Sequence, residues 1–129
     1  MSVLHHLDLD AAYKEIHRLL KKDGIVLAKE PLAHNPLFMV YRRMTPHLRT
    51  AWELEHILHT KDIKYAKKYF SNIQMKFFHI AVIAAVPLKN TFLFKPIRAI
   101  LNGIDMILCS IPGIRNWAWQ CVFTLEGKK

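Results

Sequence analysis

Apolar residues change period several times along the chain, and each change marks an element. Ala12, Tyr13, Ile16, Leu19 and Leu20 recur at the spacing of a helix face, behind Asp8 or Asp10 as capping residue. The pattern predicts a helix over residues 10–22, with Lys21 and Lys22 in its last turn and Gly24 in the left-handed position beyond it. The period then collapses. Ile25, Val26, Leu27 and Ala28 are consecutive apolar residues, which reads as a strand covered on both faces, typical of a parallel sheet. Pro31 and Pro36 bracket a loop, and Asn35-Pro36 opens a helix through Arg43 with proline at its first position. Residues 50–58 read as a short helix, and Thr60 caps another through Tyr69. Residues 72–78 read as a strand that 80–86 continue or support from the core, and Pro87 and Pro96 frame a turn. Residues 97–108 form an amphipathic segment interrupted by Gly103, and Pro112-Gly113 turns the chain into a closing strand over 117–125. There Trp117, Trp119 and Phe123 share one face and pack into the core.

The helix over 10–22 raises a question of topology. Parallel strands are joined by crossovers, so this helix needs a strand before it, and only residues 1–7 precede it. The expectation is a single partial domain over residues 1–129 that begins in the middle of a fold.

Three consecutive pieces bear on which fold. They are Ser2-Val3-Leu4-His5-His6-Leu7, the helix end Arg18-Leu19-Leu20-Lys21-Lys22-Asp23-Gly24, and the strand Ile25-Val26-Leu27-Ala28-Lys29-Glu30-Pro31. Together they resemble the stretch of class I S-adenosylmethionine-dependent methyltransferases from the end of the fourth strand to the end of the fifth. Lys22-Asp23-Gly24 replaces the usual Lys-Pro-Gly-Gly of that family. Residues 30–36, 41–46 and 48–50 resemble the region after the fifth strand in a bacterial and archaeal subgroup, and Trp117-Ala118-Trp119-Gln120 resembles its closing antiparallel strand. The resemblance covers nearly the whole chain. It implies an α/β fold, the carboxyl-terminal half of a Rossmann-like methyltransferase sheet with about three strands and flanking helices. It also implies that strand 25–28 lies between a missing fourth strand and the closing strand, leaving one side of its backbone unpaired. The family grips S-adenosylmethionine with a glycine-rich turn and an acidic residue ending its second strand. No G-x-G occurs here, so no cofactor-binding residue is assigned, and the chain alone is expected to be inactive.

Composition narrows the partners. Hydrophobic residues are 52% and charged residues 22%, a globular balance, and the net charge of +9 favours acidic partners. The cations are scattered in pairs rather than runs, and the closing strand lacks the basic interleaving of a base-stacking surface, which disfavours nucleic acid. Cys109 and Cys121 read as reduced core residues of a cytoplasmic protein.

The resemblance also locates candidate chemistry. His5 and His6 follow a strand end, where open sheets place ligands, and one of them could take the acceptor's proton. Glu30 follows the next strand and could orient an acceptor hydroxyl or amine. His34 and Asn35 join the substrate side, with the alternative that they satisfy backbone groups or cap a helix. Arg42, Arg43 and Arg49 could gather around an anionic acceptor, against structural pairing with Glu53 or Glu55. Glu55-His56-Ile57-Leu58-His59 lacks the H-E-x-x-H order, and no metal site is assigned.

Two function classes follow. One is a methyltransferase-derived chain, half or remnant of an enzyme methylating a small acceptor, completed by an amino-terminal half or by self-association. The other is a non-catalytic basic module for nucleic acid, a protein partner or an anionic membrane surface, with the apolar and basic stretch 92–114 facing the membrane.

Overall fold

The computed structural model describes residues 3–48 and 56–129. The fold is mixed α/β, a three-stranded antiparallel sheet with flanking helices. A 3-10 turn at Leu4–His6 leads into α1 (Leu9–Leu19), whose first turn is capped by the Asp8 carboxylate accepting Ala11 N–H at 2.8 Å. Strand β1 (Ile25–Pro31) follows, then α2 (Pro36–Met44), the short α3 (Thr60–Tyr65) and β2 (Phe70–Phe78). A 3-10 helix (Val82–Leu88) and α4 (Phe94–Leu108) connect β2 to β3 (Gln120–Lys128).

The sheet order is β1-β3-β2, with β3 antiparallel to both neighbours. Register aligns three rows on the covered face, Val26-Leu125-Ile73, Ala28-Phe123-Met75 and Glu30-Cys121-Phe77. Tyr13 of α1 and Ile63 of α3 are fully buried against this face in one core with Phe70, Phe123 and Leu125. Each large apolar side chain buried there contributes about 1.5–3 kcal/mol. A second cluster joins Phe38 of α2 to Ile57, Ile83 and Trp119.

Several expectations need correction. Strand 25–28 is not doubly covered and does not sit in a parallel sheet. Its residues alternate, Val26, Ala28 and Glu30 inward, while Ile25 is 63% and Leu27 72% exposed on the opposite face. Among the described residues β1 pairs only with β3, so its other edge is open apart from one parallel bridge just beyond it, Leu32 to Leu58. Gly24 is not left-handed. A Cβ there would lie 2.7 Å from the Leu20 side chain, which would have to shift to admit it. α1 ends at Leu19, so Lys21 and Lys22 lie beyond it. Residues 80–86 do not extend the strand but line the core, with Ile80, Ile83 and Ala85 buried, and Pro87 and Pro96 do flank a turn, over residues 89–93. Pro87 lies inside the 3-10 helix, and Pro96 sits in the first turn of α4, where its missing N–H has no intrahelical partner to lose. The closing strand starts at Gln120, and Trp117 falls in a preceding 3-10 turn, 55% exposed rather than in the core.

Candidate functional site at the tip of β1

The alternation of β1 turns Glu30 toward the covered face beside Cys121, leaving the residue 1% exposed. A carboxylate taken out of water is tolerated only when its oxygens accept hydrogen bonds. Three donors meet it here. Val3 N–H and Leu4 N–H reach Oε1 at 2.8 and 2.9 Å, and His5 Nδ1 lies 2.8 Å from Oε2. The turn before α1 is thereby fastened to the end of β1 across more than twenty residues of sequence.

The contact also sets the histidine. In the tautomer that donates Nδ1–H to Glu30, Nε2 is the acceptor nitrogen of the His5 ring. The His5 side chain is 7% exposed, and the exposed His6 ring stacks on it at 3.9 Å between centroids. The surrounding groups stay neutral. Burial, then Asp62 and Glu30, push the Tyr13 hydroxyl well above its ordinary value, and it donates to the Asp62 carbonyl at 3.3 Å. Burial pushes the Cys121 thiol up to about 12, which removes it as a nucleophile at neutral pH.

The loop after β1 is occupied by structural bonds. His34 Nε2 accepts Thr60 N–H at 3.1 Å at the start of α3, and its ring meets His59 edge-on at 5.0 Å. Burial and the neighbouring His59 lower the His34 pKa, consistent with an unprotonated acceptor nitrogen. Asn35 is buried and caps α2, its Oδ1 accepting Phe38 N–H at 3.0 Å. Arg42 is buried with its guanidinium 5.4 Å from the Phe38 ring centre, whereas Arg43 is exposed, so these two arginines do not face one site. Arg49, Glu53 and Glu55 lie outside the described residues. Among the described residues no group of three or more metal-capable side chains converges.

A second polar corner had no reading in the sequence. Asp105 of α4 is buried and accepts Ala81 N–H at 2.6 Å and Val82 N–H at 3.2 Å, capping the 3-10 helix that follows β2. It borders a cleft of about 520 Å³ between the end of β2 and α4, where His79 holds φ at +67°. The available signal was Asp105 itself, the single acid in the stretch 79–119.

Comparison of the chain with protein families, with curated proteins and with solved structures finds no match in any of the three.

Proposed function

We propose that the chain forms the carboxyl-terminal half of a class I methyltransferase sheet and serves transfer of a methyl group from S-adenosylmethionine to a small acceptor. The strand order carries the reading. β3 runs antiparallel between β1 and β2, and among the described residues the far edge of β1 is open where the resemblance expects a fourth strand. The position of Val3 supports it. Its amide lies against Glu30 at the carboxyl end of β1, where a segment leaving a strand parallel to β1 would emerge.

In this reading His5 is the base. Glu30 holds its Nδ1, and Nε2 would take the acceptor's proton. S-adenosylmethionine supplies the methyl cation equivalent, and its glycine-rich turn is not among these residues. Calorimetric titration tests the assignment. The 129 residues alone should show no micromolar affinity for S-adenosylmethionine, and affinity should appear when a polypeptide carrying the glycine-rich half, encoded upstream or alongside, is added. Micromolar binding by the chain alone, or no association with such a half, overturns the proposal.

A further inference from the structure

The connector between β2 and β3 departs from the rest of the molecule. Helix α4 packs Ile97, Leu101, Asp105 and Leu108 inward, yet its apolar arc extends well past that face. Ile100, Ile104 and Ile107 recur at spacings of four and three on an adjacent stripe, and all three are exposed, Ile100 at 65% and Ile107 at 66%. The exposed Phe92 precedes the stripe and the exposed Trp117 follows it. A run of this kind has a large hydrophobic surface facing water, which marks an interaction site.

Its charge identifies the occupant. Residues 79–119 contain one acid, Asp105, and that carboxylate is buried on backbone amides. The cations Lys89, Lys95, Arg98 and Arg115 are all exposed. The region therefore combines an apolar stripe with a single sign of charge, Lys95 and Arg98 lying on the polar side of α4 away from the isoleucines, and a tryptophan beyond its end, the amphipathic combination suited to the headgroup layer of an anionic bilayer. Length excludes the other mode of membrane contact. α4 has 15 residues, and no helix among the described residues is long and apolar enough to cross a membrane.

We infer that α4 and its flanks lie flat on an anionic membrane surface, with Ile100, Ile104 and Ile107 entering the acyl boundary. The inference is independent of the methyltransferase reading, because it uses no residue of the β1 tip. Flotation of the full chain with vesicles tests it, using phosphatidylcholine alone and phosphatidylcholine containing phosphatidylserine. The chain should float with the anionic vesicles and be released by salt. The double variant Ile100→Glu, Ile107→Glu should lower partitioning about a hundredfold by removing two buried side chains. Lys95→Gln with Arg98→Gln, at exposed positions, should lower it about thirtyfold on anionic vesicles and leave the neutral ones unaffected. No flotation with either vesicle overturns the inference, as does flotation undiminished by both double variants. A stable dimer that Ile100→Glu, Ile107→Glu splits also overturns it, assigning the stripe to a second copy.

Discussion

The tip of β1 and the outer face of α4 break the usual division between polar surface and apolar interior in opposite directions. At the tip a carboxylate is buried, and every partner it needs comes from the same chain: two backbone amides and a histidine. On α4 three isoleucines are exposed, and none of the described residues covers them. The first exception is closed and holds the fold together. The second is open, and its consequence falls on whatever the protein meets. An internal network should therefore be measurable as stability, and an uncovered stripe as binding.

Substitutions can break this contrast, and the largest effect belongs to the tip. Glu30→Ala strands the buried Leu4 amide, the part-buried Val3 amide and the His5 ring, so chemical denaturation should show a loss of about 2–3 kcal/mol, as for buried donors left without an acceptor. A loss below ~1 kcal/mol would mean that water satisfies the corner as well as Glu30 does.

A smaller effect comes from His34 and carries a sign in pH. Its folded pKa lies below the ordinary value, because burial and His59 disfavour the charged ring. As pH falls through about 6.5 the unfolded chain gains a proton there that the folded chain resists, so this contribution is full above that value and is lost on acidification. Losing the Thr60 hydrogen bond to a protonated ring should cost about 1 kcal/mol. His34→Gln retains an acceptor, and thermal melts across this range should show a flatter pH dependence than the parent chain. An identical slope would remove His34 from the account.

The smallest effect sharpens the contrast from the other side. Ile100→Glu with Ile107→Glu should change stability by no more than ~0.5 kcal/mol, since exposed positions away from special features rarely matter more. A loss of several kcal/mol would show that the stripe packs inside the protein in solution.

The sequence made the helices legible where a capping residue announced them. Asp8 before α1 and Asn35-Pro36 before α2 are side-chain signals that act within four residues of their targets. β2 was visible in its own pattern for the same local reason. Apolar runs were less informative, because hydrophobicity reports a surface that favours cover without saying whether this chain supplies it. Ile25 and Leu27 satisfy the pattern of a buried strand and are exposed. Trp117 kept the period of a strand, but the turn after Pro112-Gly113 takes it out of the sheet. At the site, Glu30, His5 and the reach of Asp105 depend on contacts 23 to 27 residues apart, which no local spacing encodes.

The order of the strands also bears on how the molecule is made. β3 is the middle strand and the last of the three to be synthesised, while β1 and β2 have no ladder with each other. Until residues 120–128 leave the ribosome, neither earlier strand has a pairing partner in the sheet. Tyr13, Ile63 and Phe70 then have no Phe123 or Leu125 to close over, so the main core forms only once those two residues are available. Such late, long-range closure is slow, and it leaves apolar strands open to other chains in the interval. A nascent chain of this design depends on its final strand arriving before a neighbour does.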